Sequence, residues 1–191
     1  MIYLNNLFKK TLLASLLFFV STLSAQEIFK VTKSSNFEVA GTSSLHDWEM
    51  VSSSADGKGT FIINNGKVEN IKSLEVKLKS KTLKSGKSGM DENAYKALKV
   101  EENPYIKFEL ERVISINDDV IRVKGDFTAG GTTKTEIFEI KTKIIDGKLK
   151  ISGSFDITFK EYNMDPPTAL MGTVKTGNEL SISFNTIFIN S

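Results

Sequence analysis

Apolar and polar residues alternate with a period of two along most of the chain. From Lys148 to Phe159 the odd positions Leu149, Ile151, Phe155, Ile157 and Phe159 are apolar, while Lys148, Lys150, Ser152, Ser154 and Asp156 between them are polar. Successive side chains on a strand point to opposite faces, so this pattern predicts a half-buried strand. The alternation recurs at Leu74, Val76 and Leu78, at Ile106, Phe108 and Leu110, at Ile121, Val123 and Phe127, and at Leu180, Ile182, Phe184 and Phe188. Weaker patterns predict further strands over 27–33, 37–42, 48–53, 59–63 and 135–145. Asn64-Asn65-Gly66, Asn117-Asp118-Asp119, Gly130-Gly131 and Asp146-Gly147 separate several of these runs. Connections this short join antiparallel neighbours, because a parallel crossover needs a dozen or more residues.

One segment changes period. Met90, Ala94, Ala97 and Leu98 fall at i, i+4, i+7 and i+8, which predicts a short amphipathic helix over 90–98 presenting those four side chains to the rest of the protein. It follows a Gly- and Ser-rich stretch and precedes Pro104, so it lies in a long crossover between two strands, where it would cap or flank an entrance.

Strands with one apolar and one charged face leave a two-sheet sandwich or a closed barrel. Length favours the barrel: the twelve residues 148–159 would extend roughly 40 Å at ~3.3 Å per residue, long for a sandwich and suited to a tall, tilted wall. The expected fold is all-β, a single antiparallel β-barrel of eight to ten strands with a short helix in one crossover. Gly125 and Gly153 fall on apolar faces, where a missing side chain permits a bend or leaves room for an enclosed ligand.

The first residues bear on destination rather than fold. Lys9 and Lys10 precede an apolar run from Thr11 to Leu23, followed by Ser24-Ala25, the layout of a secretory signal peptide with cleavage after Ala25. The run is too short for a spanning helix, which needs about 20 residues, so no stable membrane anchor is expected. Two units follow, a signal over 1–25 and one β-barrel domain over 26–191.

Removing residues 1–25 leaves 23 basic and 23 acidic residues, a balance with no electrostatic footprint for nucleic acid. The chain has no cysteine, which excludes disulfides, thiol catalysis and zinc-thiolate sites.

Candidate chemistry is sparse. His46 is the sole histidine. With Ser43 or Ser44 and Asp47 it suggests a hydrolase triad, but on an extended segment His46 and Asp47 point to opposite faces and the carboxylate cannot orient the imidazole. A metal site lacks a second histidine, and haem ligation by His46 with Met90 or Met164 rests on ligand type alone. No cofactor is expected, and no catalytic residue is assigned. His46 and Trp48, two apart, share a face if extended; they either pack structurally or line a mouth and meet a ligand's polar head. The inward Phe, Leu and Ile side chains likewise either fill the interior or line a cavity. The irregular segment 162–172, with Tyr162, Met164, Leu170 and Met171, reads as an ordinary loop or as a pliable apolar rim over an opening.

Several segments, in order, resemble the YceI family of exported, lipocalin-like isoprenoid-binding proteins. They are Gly41-Thr-Ser-Ser-Leu-His-Asp-Trp48, Met90 through Leu98 followed by Asn103-Pro-Tyr-Ile-Lys-Phe108, Val123-Lys-Gly-Asp-Phe-Thr-Ala-Gly-Gly-Thr-Thr-Lys134, and Gly172 through Phe184. The resemblance implies a lipocalin-like barrel of eight strands, a long apolar cavity holding a polyisoprenoid chain, and a periplasmic location. The candidate ligand-binding residues are His46, Trp48, Met90, Leu98, Phe108, Phe127, Phe155, Tyr162, Met164 and Phe184. The expected function is non-enzymatic: carriage of an isoprenoid or other lipid. The alternative is a structural or stress-related envelope protein with a filled barrel and a protein partner. Self-association as a homodimer stays open.

Overall fold

The computed structural model describes residues 26–191, and the segment read as an export signal lies outside them. Eleven strands follow in chain order: β1 (Gln26–Val31), β2 (Asn36–Ser43), β3 (Trp48–Ser52), β4 (Ala55–Asn64), β5 (Lys67–Lys79), β6 (Tyr105–Asn117), β7 (Val120–Ala129), β8 (Thr132–Ile145), β9 (Lys148–Thr158), β10 (Thr168–Ala169) and β11 (Val174–Asn190). A helix, α1 (Ser88–Ala97), sits in the crossover between β5 and β6.

All named pairings are antiparallel, and the order β1-β4-β5-β6-β7-β8-β9-β11 closes because β1 also pairs with β11. The result is a closed eight-strand barrel, antiparallel and closed as the short turns and strand lengths predicted and with the strand number that the family resemblance implied. Closure leaves none of those eight strands as an open edge for another chain to pair with. Three of the four two-residue turns place a non-glycine at positive φ, Asn65, Asp118 and Asp146. Asn65-Gly66 and Asp146-Gly147 have both central residues there, the geometry whose twist matches that of the flanking strands.

Two staves of the barrel are each made of two strands. β11, at 17 residues, pairs with β2 along its first part and with β1 near its end. Between β1 and β2 the backbone bends, and the bend is stitched to β11: Thr32 N–H donates to the Ile187 carbonyl at 2.8 Å, and the Ile187 N–H donates to Ser35 Oγ at 3.0 Å. Ser35 is thereby fully buried without leaving a polar group unpaired. The companion stave bends between β3 and β4, where Ser52 and Thr82 hydroxyls lie 2.8 Å apart. Above this bend β3 leaves β4's neighbour β5 and meets Lys84 instead, through reciprocal Val51 and Lys84 backbone bonds of 2.9 Å.

The hairpin end of the barrel is solid. Phe61 is fully buried, with Phe29 edge-on at 5.6 Å and Phe188 at 5.8 Å between ring centroids. Ile71, Ile121 and Leu149 bury their side chains in the same core. Both readings of the interior therefore apply, at different heights: packed at the hairpin end, hollow at the helix end.

Candidate functional site

Above the Phe188 floor lies a cavity of about 830 Å³. Its wall comes from inward positions of almost every stave, such as Val39, Met50, Val76, Val123, Ile151 and Ile182, the positions that two-residue alternation sends to one face. A chain of edge-to-face rings runs along one side: Phe108 to Phe138 at 5.2 Å, Phe138 to Phe155 at 4.7 Å and Phe155 to Phe127 at 5.1 Å. Phe138 went unnoticed in the sequence because Ile137 and Phe138 are adjacent apolar residues; Ile137 points outward, 55% exposed, while Phe138 is buried.

The glycines on the inner faces explain how so aromatic an interior leaves space. A Cβ at Gly125 would stand 2.6 Å from the Phe108 ring, and one at Gly153 would stand 2.8 Å from the Phe184 ring. Trp48 lies in the same way over Gly41, its cross-strand partner. The room at these glycines is thus taken by protein rings and not by a ligand, which corrects one of the two uses expected of Gly125 and Gly153. Each ring settles against bare backbone, and the axis beside it stays open.

Helix α1 closes part of the upper wall, and Met90, Ala94, Ala97 and Leu98, which their spacing put on one inward face, all line the cavity. The helix spans Ser88–Ala97 and ends in a left-handed residue, Lys99, at φ 49°. It is tied to the segment that precedes it. The Asp91 carboxylate accepts from Ser85 N–H at 2.8 Å and Ser85 Oγ at 2.7 Å, with Lys84 Nζ at 3.3 Å. The Tyr95 hydroxyl lies 2.8 Å from the carbonyls of Lys81 and Leu83.

Burial alone would raise the Asp91 pKa, but the Ser85 and Lys84 contacts outweigh it and hold the carboxyl below its ordinary value. The folded state then binds this proton more weakly than the unfolded chain does, so the contribution is present above the ordinary carboxylate range and lost as pH falls through the depressed value. Asp91→Asn is expected to cost about 1–3 kcal/mol near neutral pH, read from urea midpoints. The gap to the native protein should narrow at acid pH. A gap independent of pH would remove the carboxylate's charge from the account.

Nine of the ten candidate residues lie on this one cavity: His46, Trp48, Met90, Leu98, Phe108, Phe127, Phe155, Met164 and Phe184. The tenth, Tyr162, does not. It is buried behind Phe127, 5.7 Å from it and edge-on, in a short 3-10 turn after β9. Its hydroxyl has no hydrogen-bond partner among the described residues. Burial first, and then the charges of Glu136 and Glu161, push its pKa up to about 12. Removing an unpaired buried hydroxyl relieves a desolvation cost, so Tyr162→Phe is expected to stabilise the protein by about 1 kcal/mol at neutral pH. The folded protein holds the phenol proton more tightly than the unfolded chain, so this contribution is complete below pH 10.0 and lost as pH rises through about 12. The phenylalanine variant should lack that alkaline component in thermal melts across the same range, and an identical alkaline profile would refute it.

His46 is not on a strand. It lies exposed in the turn before β3, its Nδ1 2.6 Å from the Asp47 backbone oxygen and not held by the carboxylate. Ser43 Oγ donates to the His46 carbonyl at 2.7 Å and accepts from the Leu45 and His46 N–H groups. The hydroxyl serves the turn, and no Ser-His-Asp relay is assembled. Among the described residues no group of three or more His, Asp or Glu side chains gathers as a metal site.

The rim is apolar and exposed. Leu170 and Met171, at φ 49° and 55°, hold a left-handed backbone that costs roughly 1–2 kcal/mol per non-glycine residue. Leu45 stands on the other flank of the β11 start, where Ser44 N–H donates to the Lys175 carbonyl at 2.9 Å. The sequence singled out Leu170 and Met171 but not Leu45, a lone apolar residue in a polar turn.

A closed antiparallel barrel, packed at one end and hollow at the other behind an apolar mouth, is the architecture of ligand-holding barrels. No helix among the described residues is long and apolar enough to cross a membrane. The chain belongs to the YceI-like domain family, whose model matches residues 22–188. No curated relative matches the sequence. Among solved structures it is similar to Burkholderia cenocepacia BcnA, with a TM-score of 0.69 at 13% identity over 82% of this chain and 98% of that one. It is similar also to a polyisoprenoid binding domain from Saccharophagus degradans implicated in plant cell wall breakdown, with a TM-score of 0.68 at 6% identity over 85% and 98%. The Campylobacter jejuni YCEI protein matches with a TM-score of 0.58 at 14% identity over 72% and 81%. At these identities the likeness is one of fold.

Proposed function

We propose that this protein is exported to the periplasm and holds a long apolar molecule, of polyisoprenoid type, in the barrel cavity, as a carrier and not an enzyme. The observation that carries the reading is the cavity of about 830 Å³ with an aromatic and aliphatic wall and a mouth at the helix end. At ~30 Å³ per water-sized group it takes on the order of 28 such groups. Burial at ~0.8 kcal/mol per methylene then supplies affinity without a strong polar contact. In this reading His46, which lines the cavity, meets the polar head, and Tyr162 supports Phe127 by packing. The name of the Saccharophagus degradans domain supports an isoprenoid as ligand class. The Lys9-Lys10 and apolar-run layout supports export.

The test is extraction of the protein, purified from the envelope, with organic solvent, followed by mass spectrometry, together with uptake of isoprenoid quinones and alcohols by the emptied protein. An apolar ligand in the extract, or saturable uptake near one molecule per chain, is the expected result. An empty extract together with no uptake would sink the carrier reading and leave the envelope protein with a protein partner.

A further inference from the structure

Three of the most exposed large apolar side chains of the described residues, Leu45, Leu170 and Met171, stand at one place, with exposures of 67%, 72% and 108%. All three belong to the wall of the cavity at its mouth. They flank the start of β11, Leu45 in the turn held by Ser44 to Lys175, and Leu170 and Met171 just after β10, which pairs with Val174 and Lys175. Apolar tips in water are unfavourable, and here the backbone makes them less favourable still. The left-handed φ of Leu170 and Met171 is one that Asn or Gly adopts readily and that Leu and Met seldom do. A turn built only to connect β10 to β11 has no use for large apolar side chains there.

We propose that this rim enters the outer part of a lipid bilayer, so that the cavity opens into the acyl region and its ligand passes between membrane and barrel without crossing water. The inference rests on the carrier reading above and adds the surface through which loading occurs. Continuity favours a bilayer over a protein partner: the tips are the outer edge of the cavity wall itself, and a protein seated on them would stopper the mouth. Charge favours contact through apolar burial and not through anionic headgroups. The charged side chains lining the cavity are Lys87 and Lys107 against Glu38 and Glu92, two of each sign, and Lys175 and Asp47 next to the rim add one of each. Contact should therefore persist on zwitterionic lipid and at high salt, where purely electrostatic attachment is screened.

The experiment uses the mature chain and vesicles of phosphatidylcholine, with Leu45→Ser, Leu170→Asn and Met171→Asn combined as the variant. Asparagine suits the left-handed positions, so the fold is not at risk from those two changes. Flotation of the unloaded protein with vesicles reads the contact, and release of a fluorescent isprenoid-chain lipid to acceptor vesicles reads its use. Native protein should float with vesicles in 0.1 M and in 1 M salt, and its release rate should rise with acceptor concentration. The variant should float at least about tenfold less, since each apolar tip removed from the acyl region weakens partitioning by about that factor. Release rates independent of acceptor concentration in the native protein, or equal flotation of variant and native, would overturn the proposal. So would a native dimer that the variant converts to monomer with no flotation by either, which assigns the rim to a second copy. A protein that floats but takes up no lipid would keep the membrane contact and remove the carrier reading, so the two failures are distinguishable.

Discussion

Truncating Phe61 to alanine is expected to destabilise the protein by about 3–5 kcal/mol, the range for a fully buried phenylalanine. Phe61 is 0% exposed, between Phe29 and Phe188, and a void there has rings on two sides that cannot close on it without leaving their own contacts. Phe184→Ala makes the comparison. That ring lies over Gly153 and faces the cavity, so its removal mainly enlarges a space that is already open and should cost nearer 1–2 kcal/mol. Urea midpoints on the two variants, at unchanged m, decide between them. Equal losses would mean that the helix end is packed as tightly as the floor.

The second large effect concerns α1. Leu98 is 9% exposed and faces the cavity, so Leu98→Asp places a carboxylate against an apolar wall, where an unpaired charge is strongly disfavoured. The helix should dock poorly and a bound apolar probe should leave at least about tenfold faster, while overall stability falls by only about 1–3 kcal/mol. The β-sheet circular dichroism should persist, because none of the eight ring strands takes its ladder bonds from α1. Neutralising the introduced carboxylate at lower pH should restore part of the retention. Loss of stability with release rates unchanged would make α1 an ordinary packing element and end its role as a gate.

These three substitutions probe the division of the barrel into a packed and a hollow part, which was only half legible in the sequence. Alternation located the strands and their inward faces, because a two-residue period sends the same residues to one side in any sheet. Asn65-Gly66 and Asp146-Gly147 fixed hairpins by backbone chemistry that operates over two residues. The i, i+4, i+7, i+8 spacing put Met90, Ala94, Ala97 and Leu98 on one inward helix face for the same local reason, and that face lines the cavity. Of the candidate residues, Phe108, Phe127, Phe155 and Phe184 reach that cavity as inward positions of their strands, and Met90 and Leu98 as one face of the helix and its cap.

What the tertiary structure alone decided is the fate of each ring. Phe184 and Phe61 both fall on strands read from the sequence, and each lies over a glycine. Phe61 is also met by Phe29 and Phe188 from the two neighbouring strands that close the barrel, whereas Phe184, opposite Phe37 across the β11–β2 pair, turns its ring to the cavity. Tyr162 reads in the sequence as part of an irregular connection, and it packs inward behind Phe127 because the 3-10 turn after β9 folds it over the barrel end. The segment of His46 is a turn and not extended, because Ser43 Oγ takes two N–H groups of the turn. Periodicity and turn chemistry act between neighbours in the chain, so the sequence states them directly. Whether an inward side chain meets another or meets empty space depends on which residues register and closure bring from distant strands, and that is settled only when the barrel closes.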